Sequence, residues 1–364
     1  MDIHDELPRV TPRSTHLTEE AWSIWDGKVK PQLSLGRLEH IVVDIANMVE
    51  DLHPQLGRPQ LLLFAADHGI VAEKVSSSPQ EITWQQCENF ARGEGAIGLL
   101  CKLNGLDLHV IDVGVAHTFS PQANIRDKKI GWGTQNFLYH AAMTEFQLSR
   151  ALKEGASMVQ ARYDLGHRVF AFGEMGIGNT TSASAIMACS TPYTVEECTG
   201  RGAGLDDAGI LHKCSIIRKA IEKWNYPAEP LEILRVFGGF EIAAIVGGMI
   251  QAAHLHSVIL VDGFITSVAA AIAIAVRSFC SDYMIFCHTS QEAGHARLLE
   301  YLHAQPIVSL GMRLGEGTGA AIAWPIIRNA LQLYEQMNSF ASAKVTDSVT
   351  LLRKRGVDAH AWKE

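Results

Sequence analysis

The chain is expected to fold as an α/β protein built on a mostly parallel sheet flanked by helices, with a small helical unit drawn from its two ends. Three observations carry this expectation. Short, continuous apolar runs recur at 60–65, 106–113, 168–172, 233–237, 258–261 and 283–287, as in strands covered on both faces. Helical segments alternate with them, roughly at 83–104, 144–165, 182–189, 206–224, 241–254 and 266–278, and repeated βα units imply parallel strands with right-handed crossovers. Further helical stretches lie outside this alternation, near both chain ends, where they could pack together.

At the start, residues 1–15 are polar and Pro-containing and are expected to be poorly ordered. A short helix follows over residues 18–26, with Trp22 and Trp25 on one face. The next helix runs to about Leu52, with Ser34 as its N-cap and Leu38, Ile41, Val42, Ile45 and Met48 at helical spacing. No low-complexity linker divides residues 55–335. After Gly311 a last helical run covers about 319–340, and the tail from Thr346, with Arg353, Lys354 and Arg355, reads as a loose extension.

Composition narrows the function classes. The 364 residues are 47% hydrophobic and 19% charged, ordinary for an enzyme with a sizeable core. A net charge of −8 argues against a nucleic-acid or acidic-membrane surface. No apolar run reaches the length of a membrane span, and the acidic start is unlike a secretory signal. The seven cysteines, at 87, 101, 189, 198, 214, 280 and 287, include no CxxC pair. They read as reduced, packed thiols in a cytoplasmic protein, and structural zinc is not expected.

In open parallel sheets, ligands bind beyond the carboxyl ends of the strands. The residues falling there are Asp67-His68-Gly69, Asp112, Gly173-Glu174-Met175-Gly176, Gly238-Gly239-Phe240-Glu241, Asp262-Gly263-Phe264 and His288-Thr289-Ser290. The stretch from Phe172 to Thr181 joins an apolar strand to a small-residue helix through Gly173, Gly176 and Gly178. Backbone N–H groups and a helix N-terminus aimed at one point suit an anion, most often phosphate. No Lys follows the last glycine and G-x-G-x-x-G is absent, so neither standard nucleotide loop applies. The alternative is a tight βα turn that simply needs glycine.

Two other glycine-rich segments matter. Thr199-Gly-Arg-Gly-Ala-Gly204 opens a helix carrying Lys213 and Arg218, a second candidate phosphate cradle or a flexible loop before a capped helix. Leu314-Gly-Glu316-Gly-Thr-Gly319 places a carboxylate between glycines, where a substrate can approach closely. Glu316 and Glu174 at one cleft could share an acid/base task. Asp67, His68 and His288 are conceivable metal ligands, but they lack HxH or HxxxH companions, and a hydrogen-bonding role is favoured.

Taken together, the segments Phe64-Ala-Ala-Asp-His-Gly69, Pro79-Gln-Glu-Ile-Thr83, Asp112-Val-Gly114, Gly173-Glu-Met-Gly-Ile-Gly-Asn-Thr-Thr181, Gly238-Gly-Phe-Glu241, Asp262-Gly-Phe264 and Gly311-Met-Arg-Leu-Gly-Glu-Gly-Thr-Gly319 form a pattern. In order and spacing it resembles the nicotinate-nucleotide:dimethylbenzimidazole phosphoribosyltransferase family, from about Lys30 to Val345. The resemblance implies a Rossmann-like domain over 55–318, with a small helical domain from 1–54 and a helix over 319–345, followed by a tail at 346–364. It implies transfer of 5-phosphoribosyl from nicotinate mononucleotide to a nitrogen of a cobamide lower-ligand base, with release of nicotinate and inversion to the α-ribotide. No metal or organic cofactor is implied, because the nicotinate is already a cationic leaving group.

By the same resemblance, Glu316 would be the general base. Ser78, Gln86, Met175 and Leu314 would line the acceptor pocket. Glu174, Gly176, Gly178, Asn179, Thr180, Gly202 and Lys213 would hold the nucleotide and its phosphate. A dimer is implied: a homodimer, or a heterodimer with a similar subunit in relatives that accept phenol or p-cresol. The chain departs from the family at Leu33 and Ala66, where glycine is usual. With Trp84 near the expected acceptor pocket, these differences leave benzimidazole, purine and phenol acceptors open. Rival readings are a noncatalytic paralogue and a metal hydrolase using Asp67, His68 and His288.

Overall fold

In a computed structural model, which describes residues 3–358, six parallel strands form one sheet. They are β1 (Gln60–Ala66), β2 (Asp107–Gly114), β3 (Arg126–Asp127), β4 (Val169–Met175), β5 (Val258–Val261) and β6 (Met284–Phe286), in the order β3-β2-β1-β4-β5-β6. Every residue of β1, β4, β5 and β6 is buried, in keeping with their predominantly apolar character. The chain moves outward from β1 to β2 and β3, then returns to place β4 on the other side of β1. That reversal opens a crevice at the carboxyl ends of β1 and β4, where this architecture receives ligands. Phe64 pairs with Glu174 and Ala65 with Met175 at that edge.

One expected strand is a helix. Residues 233–237 complete the helix Pro230–Phe237. Pro230 stands in its first turn, and the Glu229 carboxylate accepts from the N–H groups of Leu231 at 3.0 Å and Glu232 at 2.6 Å. A short apolar run reads equally as a buried helix segment, and here the cap decides. The sixth strand of the sheet is instead β3, at the edge beside β2, only two residues long and exposed. The expected helix over 83–104 is two helices, Ile82–Ala91 and Gly95–Asn104, broken at residues 92–94, with φ of 70° at Gly93 and 66° at Gly95.

Helices Glu145–Tyr163 and Phe240–His254 cross at backbone contact. A Cβ on Gly155 would stand 1.7 Å from the carbonyl oxygen of Ala244, and one on Gly247 2.0 Å from that of Leu152. Residues 3–11 are ordered rather than loose. Ile3–Glu6 form a helical turn, Leu7 and Val10 are buried, and the Arg277 guanidinium donates to the carbonyls of His4, Leu7 and Pro8. Portions of the expectations that fall on residues 1–2 and 359–364 lie outside the described residues.

The chain divides into two units, one of residues 1–11 and 56–323, the other of 12–55 and 324–364. The sheet belongs to the first. The second buries Ala21, Trp25, Val42, Val43, Ala330 and Tyr334 together, with the Trp25 and Tyr334 rings edge-on at 5.2 Å. Inside it Lys30 donates to Glu39 at 2.7 Å with both side chains buried, and Glu39 also accepts the N–H of Leu35 at 2.9 Å. Gly36, not Ser34, is the N-cap of the helix Arg37–Val49. Leu33 adopts φ +54°, the left-handed region that a glycine would enter without strain. The tail is partly structured: Ser348–Lys354 form a helix capped by Asp347, and Arg353 pairs with Asp26.

Candidate active site

The carboxyl ends of β4 and β5, the N-terminal part of helix Ile82–Ala91 and the loops near Ser290 and Glu316 enclose a cavity of about 550 Å³. Its walls include Glu174, Met175, Gly176, Asn179 and Thr180 after β4, and Asp262 to Thr266 after β5. Ser78, Ile82 and Gln86 close one side, Gly202 and Glu292 another, and Arg313 to Glu316 the rim. Ile177 N–H donates to Thr83 Oγ1 at 3.1 Å, holding the Gln86 helix against the β4 loop.

Glu316 sits in three consecutive left-handed residues, with φ of 78° at Gly315, 64° at Glu316 and 86° at Gly317. A non-glycine residue there is strained and persists only where its surroundings fix it. Three hydrogen bonds do so. Glu316 N–H donates to Glu174 Oε1 at 3.2 Å, Gly317 N–H to Asp262 Oδ2 at 3.1 Å and Ala320 N–H to Asp262 Oδ1 at 3.0 Å. Gly173 is required beneath, since a Cβ would stand 2.6 Å from the Glu316 carbonyl oxygen. Two buried carboxylates thus act as backbone acceptors that display the third.

Electrostatics follow from this burial. Glu316 is only 8% exposed, and burial, with help from the neighbouring Asp262 charge, raises its pKa to about 7. Burial also lifts Glu174 well above the usual carboxylate range; the Glu316 N–H opposes that, while Asp262, Glu241 and Glu316 add to it. Asp262 is raised by burial and restrained by His288, whose Nε2 lies 3.9 Å away. A carboxyl poised near neutrality in a cavity has the protonation behaviour of a general base.

Part of the lining comes from the segment after β4 and from the 202–203 loop. Helix Asn179–Ser190 begins at Gly178, whose φ is 96°, and presents Asn179 and Thr180 to the opening. Lys213, fully buried, donates to Thr180 Oγ1 at 2.9 Å. Burial lowers its pKa to about 8, against the raising effect of Glu292. Gly202 and Ala203 complete the wall. The N–H groups of Ile177, Asn179, Thr181 and Gly202 already donate to Thr83, Gly176, Gly178 and Glu292, so what this helix start offers an anion is its positive dipole end, with the Lys213 cation behind Thr180.

Of the residues singled out from sequence, Glu316, Ser78, Gln86, Met175, Leu314, Glu174, Gly176, Asn179, Thr180 and Gly202 line this one cavity. Gly178 and Lys213 do not; they stand one layer behind, Gly178 at the helix start and Lys213 behind Thr180. Other residues placed at strand ends serve structure. Asp67 accepts the Ala116 N–H at 2.7 Å, and Asp112 accepts those of Gly114 and Val115. His68 is held between Ser182 Oγ at 3.0 Å and Glu241 Oε1 at 2.7 Å. No group of three or more metal-ligating side chains occurs among the described residues.

Of the three features suspected of altering the acceptor pocket, Leu33, Ala66 and Trp84, none is in the cavity lining. The Trp84 ring stacks on His117 at 4.4 Å, and Ala66 is buried within β1; neither lines the cavity. Sequence reading missed Glu292 and Arg313. Glu292 follows β6 by six residues, and only its proximity to Gly202 reveals a role.

The fold and the cavity define an α/β protein in which a nearly neutral buried carboxyl shares one cavity with a helix N-terminus backed by a lysine. A phosphoribosyltransferase family model matches residues 10–345, and the chain belongs to that family. It is 45% identical over 325 residues to the nicotinate-nucleotide–dimethylbenzimidazole phosphoribosyltransferase of Dechloromonas aromatica, covering 88% of this chain and 93% of that one. It is 42% identical to the protein of the same name from Photobacterium profundum, over 88% and 94% of the two chains. The crystal structure of CobT from Thermus thermophilus superposes with a TM-score of 0.86 at 34% identity, over 91% of this chain and 99% of that one.

Proposed function

We propose that this chain transfers the 5-phosphoribosyl group from nicotinate mononucleotide to 5,6-dimethylbenzimidazole, releasing nicotinate and forming the α-ribotide. The observation that carries the reading is Glu316, a strained, glycine-framed carboxyl with a pKa of about 7, lining one cavity with Asn179 and Thr180 at a helix start that Lys213 backs. The names of the relatives favour the dimethylbenzimidazole acceptor, and they give no support to a phenol acceptor.

In this reading Glu316 takes the proton from one benzimidazole nitrogen while the other attacks C1′ of the sugar. The C1′–N bond to nicotinate breaks, its electron pair returns to the pyridinium ring, and the displacement inverts the anomeric carbon. Ser78, Gln86, Met175 and Leu314 hold the acceptor ring. Glu174, Gly176, Asn179, Thr180 and Gly202 hold the donor, with Gly178 shaping the helix start and Lys213 supplying charge behind Thr180. A positioned base contributes about 10²–10⁴-fold; alignment of donor and acceptor supplies much of the rest. The cationic nicotinate leaves without help from a metal or cofactor. The two units of the chain serve as catalytic and accessory domains.

We further read the protein as a cytoplasmic dimer. Six of the seven free cysteines are buried, in keeping with a reducing compartment. The exposed Leu99 and Leu103, four residues apart on one helix, suit a subunit contact. Sedimentation tests the dimer. The function is tested by mixing protein, nicotinate mononucleotide and dimethylbenzimidazole, then detecting nicotinate and ribotide by mass spectrometry. Absence of both products would refute it.

A further inference from the structure

On the cavity wall, one buried acid has no part in the chemistry above. Glu292 is 8% exposed and its Oε1 accepts the N–H of Gly202 at 3.0 Å. Gly200 passes so close that a Cβ there would stand 2.1 Å from the same oxygen. A Cβ on Gly202 would stand 2.8 Å from Thr180 Oγ1 and 3.7 Å from Lys213 Nζ. Glu292, Gly200, Gly202, Thr180 and Lys213 are therefore one cluster. Arg313 grips the other side of the same loop, donating to the Gly202 carbonyl at 3.3 Å.

The anchor itself is rigid. Glu292 N–H donates to Ser290 Oγ at 3.2 Å, and Ser290 N–H donates to His295 Nδ1 at 2.8 Å. His295 Nε2 lies 2.9 Å from Ser267 Oγ, and burial pushes its pKa down to about 3, so the imidazole is neutral and its Nε2 carries the proton. A chain of buried hydrogen bonds thus fixes the backbone that carries Glu292, whose carboxylate holds the Gly202 N–H. An acid beside an anion cradle is unfavourable unless its placement serves the loop.

We propose that Glu292 is a positioning residue that sets the preference for a 5′-phosphorylated donor, by holding Gly202 against Thr180 and Lys213 in the shape that receives the phosphate. The inference rests on the reading of nicotinate mononucleotide as donor. Glu292 need not touch the sugar or either ring, so its loss should be felt through the phosphate alone.

The test is calorimetric binding of nicotinate mononucleotide and of nicotinate riboside, which lacks the phosphate, to wild type, Glu292→Ala and Glu292→Gln. A hydrogen bond to a charged group corresponds to about ten- to a hundredfold in affinity. Glu292→Ala should weaken nicotinate mononucleotide by about that factor and leave the riboside within about twofold. Glu292→Gln keeps an acceptor for Gly202 N–H and should stay within about threefold of wild type for both. If Glu292→Ala fails to fold, Gly200→Ala displaces the same loop and should show the same selective loss. Equal weakening of both compounds, no weakening of either, or a Gln variant as impaired as the Ala variant would overturn the proposal. A wild type that binds neither compound removes the donor reading and this inference together. Undiminished phosphate preference in Glu292→Ala removes the inference alone.

Discussion

The backbone N–H of Glu316 donates to the carboxylate of Glu174 at 3.2 Å. Glu174 is thereby a support for the residue read as the base, although the two acids sit 142 positions apart in the chain. Its other oxygen accepts from the Asn179 side-chain amide, so one buried carboxylate joins the Glu316 loop to the start of the helix Asn179–Ser190.

Removing that support should misplace the base. Glu174→Ala leaves Glu316 N–H and the Asn179 amide without their acceptor, at about 1–3 kcal/mol for each buried group left unpaired. We expect kcat to fall by at least about tenfold, with thermal stability lowered. Glu174→Gln retains an acceptor and should fall less. Steady-state kinetics and thermal melts on both variants check this ordering.

Burial of Glu316 should make it a destabilising group at alkaline pH. Its folded pKa is about 7 against an ordinary 4.5. The folded state therefore holds this proton more tightly than the unfolded chain, and stability falls as pH rises from the ordinary value through the folded one. With 1.36 kcal/mol for each pH unit, the loss is up to about 3 kcal/mol above neutrality. Glu316→Gln should be more stable than wild type at about pH 8 and equal to it at about pH 4, in urea melts at the two pH values. Equal stability at both would show that the carboxyl is not held in its neutral form.

The helix crossing at Gly155 should tolerate no side chain. A Cβ there would lie 1.7 Å from the Ala244 carbonyl oxygen, in backbone that cannot step aside as a flexible side chain would. Gly155→Ala should destabilise by about 3 kcal/mol or more, at or beyond the upper end of ordinary overpacking. Denaturant unfolding reads this directly.

In the second unit, the Lys30–Glu39 pair is buried and 2.7 Å apart. Glu39→Ala leaves the lysine charge buried without its acid and should cost about 3–5 kcal/mol, whereas Lys30→Met with Glu39→Leu should be far milder. A double-mutant cycle separates the two outcomes.

Much of this architecture is legible in the sequence alone. Five of the six apolar runs are strands, because parallel strands buried on both faces carry an unmistakable continuous pattern. The run at 233–237 misleads because its length fits either a strand or a buried helix; Glu229 and Pro230 hold the deciding signal in their capping chemistry. β3 has two residues and no pattern to read. Glycine-framed Glu316 and the β4 loop stand out because their local sequence encodes unusual backbone. Glu292 does not, since nothing beside it in sequence announces its contact with Gly202, 90 positions away. Trp84 shows the converse error: a residue two positions from Gln86 stacks on His117 and does not line the cavity.

The most direct test of the account is the pH dependence of kcat/KM for dimethylbenzimidazole, with nicotinate mononucleotide saturating, in wild type and Glu316→Gln. With Glu316 as the base, ribotide formation by wild type should fall about tenfold per pH unit on the acid side of a pKa of about 7. In Glu316→Gln, the rate should drop by about 10²–10⁴-fold and that limb should vanish. A Gln variant that keeps both the wild-type rate and the same limb would contradict it.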